Sequence, residues 1–269
     1  MSRKQFEKID SQVQRDLRKT VITLRKSYED RLDEMRAYLR TVYDKYGDGQ
    51  TLPYDKLAKR LNNTQNEVET ISSGLYADLF KDVTNDLEQV YTYSFGATKA
   101  ALAIESGVKI NNTLQLDVLQ KALKSPVGGL TIDLRFERYQ NEISSRIMQS
   151  IITSSSQGRD FAGAVADLSK TFGANSSRIQ TIVRTEGHRL MEQAKFDEAE
   201  AAASVDGVKM FKTWITMGDD KVRDTHSAQD GMTIPIDEKF PNGAMIPGDS
   251  GDPAEDIGCR CILEYSTVS

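Results

Sequence analysis

The spacing of apolar residues over residues 5–46 constrains the fold more than any other feature. They recur every three or four positions, at Phe6, Ile9, Val13, Leu17, Val21, Leu24, Tyr28, Leu32, Met35, Leu39, Val42 and Tyr46. This spacing forms one apolar stripe along a single helix of roughly 60 Å. Such a stripe needs a partner: another helix of the chain, another copy, or a different protein.

Helical spacing continues as far as residue 203. The pattern predicts helices over residues 52–106, 114–123, 133–152, 161–172 and 177–203. We expect Gly173-Ala174-Asn175-Ser176 to separate the last two helices, with Ser176 as the N-cap.

The pattern changes near residue 205. Residues 209–217 and 261–265 are typical of strands, and residues 221–229 of a short polar helix. We therefore predict a mainly α N-terminal region of long helices, residues 1–130, and a small α+β C-terminal domain, residues 131–269.

Charge is distributed unevenly along a chain whose net charge is −5. Residues 1–40 hold 11 Lys/Arg and 7 Asp/Glu, a net of +4, whereas residues 237–256 hold 1 Lys and 6 Asp/Glu, a net of −5. The basic residues Arg15, Lys19 and Arg25 are therefore expected to attract DNA weakly and without sequence readout. The chain has no apolar run of about 18 residues, so we predict no membrane span. Its N-terminus is charged rather than apolar, so we predict no secretory signal. We expect synthesis in the cytosol, where thiols stay reduced.

Two cysteines and a histidine form a candidate metal site. Cys259 and Cys261 are the only cysteines of the chain, and His226 is one of its two histidines. Thiolate and imidazole groups suit Zn²⁺, and a carboxylate such as Asp219, Asp230 or Asp256 would complete a tetrahedron. The alternatives are buried cysteines that only begin a strand, and a catalytic Cys259–His226 pair.

Sequence motifs of common enzymes are absent. The chain has no GxxxxGK[ST] phosphate loop, no GxGxxG after a strand, no HExxH and no GxSxG. With only His188 and His226 as histidines, few bases are available to activate a nucleophile. We therefore predict a protein without catalytic activity.

The second half of the chain resembles the Mu F-like minor head proteins of tailed phages. The similarity covers about residues 130–269, through Arg184-Thr185-Glu186, Trp214, Asp220, Arg223, His226, Asp230-Gly231, Phe240, Pro247-Gly248-Asp249 and Cys259-Arg260-Cys261. Many relatives have His-Pro-Asn before Cys-Arg-Cys, where this chain has Asp256-Ile257-Gly258. This departure removes a candidate histidine ligand. Arg184 and Glu186 lie on the predicted helix 177–203, and Arg223 follows the predicted strand. We expect an Arg–Glu pair among these residues to connect helix to sheet through a bidentate contact.

The resemblance implies a minor capsid protein of head morphogenesis. Such a protein binds the portal and other capsid or scaffold proteins, enters the procapsid, and is associated with packaging and delivery of double-stranded DNA. The expected location is the capsid interior near the portal, after assembly in the host cytoplasm without a membrane. Within the helical region, Leu24, Leu32 and Leu39 are the residues expected to dock on a partner.

Two other functions fit parts of the sequence. One is an ADP-ribosyltransferase-like or toxin-type enzyme of a phage cassette, which would use Arg184 and Glu186. The other is a plain coiled-coil scaffold, for which the C-terminal cluster would be superfluous.

Overall fold

The fold combines long helices with a small sheet near the C-terminus. The computed structural model describes residues 3–106, 112–205 and 207–268. Its elements are α1 (Arg3–Tyr46), α2 (Tyr54–Ala58), α3 (Leu61–Ser106), α4 (Leu116–Lys124), α5 (Ile132–Ser156), α6 (Phe161–Ala203), β1 (Lys209–Ile215), α7 (Asp224–Ser227), β2 (Thr233–Pro235), α8 (Pro253–Asp256) and β3 (Ile262–Val268). The predicted fold class is confirmed. Among the described helices, none is both long enough and apolar enough to cross a membrane.

Helix α1 follows the predicted stripe closely. Ten of its twelve residues are buried, while Leu32 and Tyr46 are half-buried. Leu24 and Leu39 are each only 1% exposed, so the chain itself covers them. Of the three possible partners of the stripe, other residues of the same chain are therefore the ones that pack on these two leucines. They do not present a free docking surface.

The predicted break at residues 173–176 is wrong, because α6 runs unbroken through it. The Asn175 side chain is buried and accepts hydrogen bonds from the hydroxyls of Tyr28 and Tyr76. A glycine costs a helix interior only about 1 kcal/mol relative to alanine. Tertiary hydrogen bonding outweighs this local preference for a turn, and Ser176 lies inside the helix rather than at its start.

Other boundaries also differ from the sequence pattern. The predicted helix 52–106 is two helices, because α2 ends at Ala58 and α3 begins at Leu61. Helix α5 extends to Ser156, α7 is shorter than predicted, and strand β2 was not predicted. Strand β2 has only three residues, too few to show alternation.

The chain folds into two compact units. One consists of Met1–Thr20, Thr84–Ile132 and Thr181–Ser269, and the other of Val21–Val83 and Asp133–Gln180. The helices α1, α3 and α6 contribute residues to both units. The sequence boundary between residues 130 and 131 stays a prediction.

The sheet belongs to the first unit and has the order β2-β1-β3, with both pairs antiparallel. Alternate residues of the central strand β1 are buried, namely Met210, Lys212 and Trp214. In β3, Leu263 lies opposite Trp214, and its backbone N–H donates to the buried Glu192 carboxylate of α6 at 2.9 Å. This bond attaches the sheet edge to α6 next to the candidate metal site.

Candidate metal centre

The structure brings His226, Cys259 and Cys261 together. His226 lies on α7, and the two cysteines lie in the segment that enters β3. The His226 Nδ1 atom is 3.8 Å from the Cys259 sulfur and 3.4 Å from the Cys261 sulfur. All three side chains are at most 4% exposed, and their ligand atoms lie within 4.8 Å of one another. Among the described residues, this is the one His/Cys/Asp/Glu group with such spacing.

Two side chains of α6 hold the backbone of the cysteine segment. The Thr185 hydroxyl accepts a hydrogen bond from the Gly258 N–H at 3.1 Å. Nε2 of His188 lies 2.7 Å from the carbonyl oxygen of Cys261 and donates to it, since a carbonyl can only accept. Gly258 has a φ of +71°, a conformation that favours glycine. The chain can therefore turn sharply just before Cys259.

Helix α7 is tied to the same region through its polar side chains. The Arg223 guanidinium donates to the Ile257 carbonyl at 2.6 Å, and the Thr225 hydroxyl donates to Glu255 at 2.8 Å. Nε2 of His226 lies 2.8 Å from Oε2 of Glu255, although without hydrogen-bond alignment. The imidazole thus has sulfur at one nitrogen and a carboxylate at the other.

The three carboxylates expected as a fourth ligand are engaged elsewhere. Asp256 accepts from the Ser250 and Gly251 backbone N–H groups, at 2.8 and 3.0 Å. Asp219 pairs with Arg260 through two hydrogen bonds of 2.6 and 2.7 Å, and Asp230 accepts from the Thr216 N–H. Each therefore stabilises a loop rather than facing the sulfur atoms.

The two thiols differ in acidity because they interact with each other. A hydrogen bond with Cys261 raises the pKa of Cys259, and burial raises it further. The same bond lowers the pKa of Cys261, against the effect of burial. The contact with Cys259 raises the pKa of His226. Cys261 is therefore the sulfur that ionises first, and thiolate is the form that binds metal.

The spacing of the three ligand atoms suits a tetrahedral ion. Zinc bonds of about 2.3 Å to sulfur and about 2.05 Å to nitrogen, at tetrahedral angles, place the two ligand atoms about 3.6 Å apart. The observed separations of 3.4 and 3.8 Å bracket this value. The cluster could thus hold a metal through two sulfurs and one nitrogen with small side-chain movements.

The other motif residues have structural surroundings. Trp214 is fully buried, and its ring packs edge-on against His226 and Phe240 at centroid distances of 5.4 and 5.0 Å. Arg223 is half-buried beside α8, whereas Asp220 is exposed. Trp214 and Phe240 therefore form an aromatic wall beside the imidazole.

Glu186 forms an ion pair with an arginine of its own helix, whereas the sequence predicted an Arg–Glu pair between helix and sheet. Arg184 is exposed, while Glu186 is 1% exposed and bonds to Arg189 at 3.2 Å. Residues 184 and 186 are two positions apart on a helix and so face different directions. Arg189 lies one turn further along and also donates to the Ala122 carbonyl at 2.8 Å.

The basic residues assigned to DNA lie on the outside of α1. Arg15 and Lys19 are exposed and make short-range contacts on their own helix, with Gln12 and Asp16. Arg25 is exposed as well and donates to Gln180 at 2.9 Å. All three side chains are exposed and therefore accessible to a polyanion, and the exposed Lys19–Asp16 ion pair contributes little.

Sequence reasoning missed several residues around the cluster. Glu255 contacts His226, Thr225 donates to Glu255, and His188 contacts the cysteine segment, yet none was singled out for that role. Thr225 is adjacent to His226 in the sequence, and Glu255 lies four residues before Cys259, so both had a local signal. His188 is distant in sequence from all three ligands and meets the site only through folding.

Comparisons with known proteins agree with the motif. Residues 141–264 match the family model described as Phage Mu protein F like protein. The minor head protein GP7 of Bacillus phage SPP1 is 27% identical over 250 residues, covering 90% of this chain and 80% of that protein. No solved structure matches.

Two further relatives align over shorter stretches. A protein of Enterococcus faecalis named NAD(+)--arginine ADP-ribosyltransferase EFV is 27% identical over 151 residues, which are 54% of this chain and 30% of that protein. An uncharacterised protein of Haemophilus influenzae is 27% identical over 128 residues, 46% of this chain and 24% of that protein. The family match, the SPP1 relative and the motif agree, and residues 141–264 of this chain are similar to the Phage Mu protein F-like family.

Proposed function

We propose that this chain is a phage minor capsid protein of head morphogenesis. The observation that carries the proposal is the similarity to SPP1 minor head protein GP7, which extends over 90% of the chain. That alignment is longer than the family match and must include most of the helical region. On this proposal the helical region, residues 1–130, acts in assembly, and residues 131–269 form the Mu F-like module.

The proposed partners are the portal and other capsid or scaffold proteins. Docking would use exposed residues of α1, since Leu24 and Leu39 are buried in the chain. Ile22 is 66% exposed on this helix and offers an apolar contact among basic side chains. Leu24, Leu32 and Leu39 would then support the helix that docks rather than form the contact themselves.

The protein would lie inside the capsid near the portal, after assembly in the host cytoplasm without a membrane. There Arg15, Lys19 and Arg25 would face packaged double-stranded DNA. Contact with phosphates through a few exposed cations is weak, nonspecific and sensitive to salt. Through this contact the protein would assist packaging and ejection of the DNA.

We further propose that the Cys259, Cys261 and His226 cluster binds Zn²⁺. Support comes from the sulfur–nitrogen separations and from the burial of all three ligands. Zinc would supply bonds between α7 and the start of β3, and so stabilise the fold.

An enzymatic function is the alternative, favoured by the similarity to the enterococcal ADP-ribosyltransferase. Against it, less than a third of that protein is aligned. Glu186 is buried against Arg189 and Arg184 is exposed, which does not place the two side chains in one cleft. We therefore propose that this chain has no catalytic activity of its own.

Co-expression with the portal protein encoded in the same phage tests the main proposal. We expect the tagged chain to retain the portal on an affinity column, and Ile22→Asp to weaken retention. Ile104→Asp, which changes another exposed isoleucine outside α1, is the control. Absence of the wild-type chain from purified procapsids would contradict the proposal.

The enzymatic alternative is tested with the same purified chain. Release of nicotinamide from NAD⁺, abolished by Glu186→Gln, would favour the transferase. No turnover above the rate in buffer would favour the structural role.

A further inference from the structure

Glu255 contacts the side of the His226 ring that faces away from the cysteines. Oε2 of Glu255 lies 2.8 Å from Nε2, whereas Nδ1 faces both sulfur atoms. The Glu255 side chain is 20% exposed, and the His226 side chain is 3% exposed. The pair therefore closes the site at its solvent side.

A second residue fixes the carboxylate in this place. The Thr225 hydroxyl donates to the same Oε2 atom at 2.8 Å. Thr225 precedes His226 on α7, so the helix that carries the imidazole also holds its carboxylate neighbour. The nearby carboxylates Asp256 and Asp219 are bonded to other groups, which leaves Glu255 as the acid in contact with His226 among the described residues.

We propose that Glu255, held by Thr225, is the positioning residue that makes Nδ1 the metal-binding nitrogen of His226. An imidazole that binds a metal usually donates its other N–H to a carboxylate, which fixes the tautomer and the orientation of the ring. With the proton on Nε2 facing Glu255, the Nδ1 lone pair is directed at the two sulfurs. A small rotation of the ring or the carboxylate aligns the Nε2–H with Oε2 when the metal binds.

This inference rests on the proposed zinc site, and its test separates the two. The full chain is prepared as wild type, Glu255→Ala and Glu255→Gln. Glu238→Ala is the matched control, because Glu238 is an exposed acid of the segment between β2 and α8. Zinc affinity is measured by competition with a chromophoric chelator, and Co²⁺ reports the ligand set by its thiolate charge-transfer absorption. Circular dichroism verifies that each variant is folded.

We expect Glu255→Ala to weaken zinc affinity by about 10- to 100-fold, the usual effect of losing such a partner. Glu255→Gln should lose less, since its amide oxygen can still accept from Nε2. Glu238→Ala should bind as wild type. If the zinc affinity of Glu255→Ala lay within twofold of wild type, only the role of Glu255 would be overturned. If the wild-type chain bound neither Zn²⁺ nor Co²⁺, the zinc site and this inference would both be overturned.

A measurement on the wild-type chain keeps the inference testable if Glu255→Ala does not fold. The ¹⁵N chemical shifts of the His226 ring in the zinc-loaded chain identify the coordinated nitrogen. We expect Nδ1 to be metal-bound and Nε2 to be protonated. Coordination through Nε2 would overturn the inference.

Discussion

Gly187 of α6 lies directly against Leu17 of α1. A Cβ atom added to Gly187 would come within 2.4 Å of Leu17 Cδ2, closer than any real contact of this kind. The absence of a side chain at residue 187 therefore lets the two helices approach each other. Gly187 also lies between Thr185 and His188, and the side chains of these two residues hold the cysteine segment.

Gly187→Ala should therefore destabilise the protein. Overpacking of a tight contact costs about 1–3 kcal/mol, which exceeds the gain in helix propensity. Gly173→Ala in the same helix is the control, since nothing lies within 4 Å of a Cβ added there, and it should be neutral or stabilising. Urea unfolding followed by circular dichroism measures both. Equal stability of the two variants would contradict this explanation.

Asn175→Ala should destabilise the unit formed by Val21–Val83 and Asp133–Gln180. The substitution leaves the hydroxyls of Tyr28 and Tyr76 without their shared acceptor in a buried place. Loss of a buried partner costs about 1–3 kcal/mol, although alanine favours the helix. Ser177→Ala, an exposed change two residues away, should have little effect. If Asn175→Ala proved the more stable variant, local propensity and not hydrogen bonding would explain the continuous helix.

Removal of metal should lower the melting temperature of the wild-type chain. If zinc connects α7 to β3, loss of its bonds is lost folding free energy. Purified protein should contain about one zinc per chain, and a chelator should shift its unfolding transition downward in differential scanning fluorimetry. Cys259→Ser should melt lower and show no further shift with chelator. Wild-type protein without metal, together with unchanged melting of Cys259→Ser, would leave a packing role for the cysteines.

Lys212 should make stability depend on pH above neutrality. Its side chain is buried, its Nζ donates to the Met245 carbonyl at 2.9 Å, and burial lowers its pKa from 10.5 to about 8. Between about pH 8 and pH 10.5, Lys212 stays protonated in the unfolded chain but has lost its proton in the folded chain. The free energy of unfolding therefore rises with pH in this range. Below about pH 8 both states are protonated, and the full penalty of the buried charge applies.

The test compares wild type with Lys212→Met by urea unfolding at several pH values from about 7 to about 10, a range that spans the lowered pKa. The stability difference should shift in favour of wild type as the pH rises. Lys209→Met, an exposed position of the same strand, should show no such trend. If the difference in the free energy of unfolding between wild type and Lys212→Met did not change with pH, the lowered pKa of Lys212 would be contradicted.

The sequence by itself determined helix α1 and the three candidate ligands of the site. A stripe with steps of three and four identifies α1 almost to the residue, because helix periodicity is a local property of the chain. The scarcity of Cys and His singled out His226, Cys259 and Cys261, which the structure brings together. Arrangement, by contrast, depends on contacts between distant residues. Only the tertiary structure decided that α6 continues through residue 175, that Glu186 pairs with Arg189, and that Glu255 faces His226. The physical reason is that burial and hydrogen bonding between distant segments outweigh local preferences of about 1 kcal/mol.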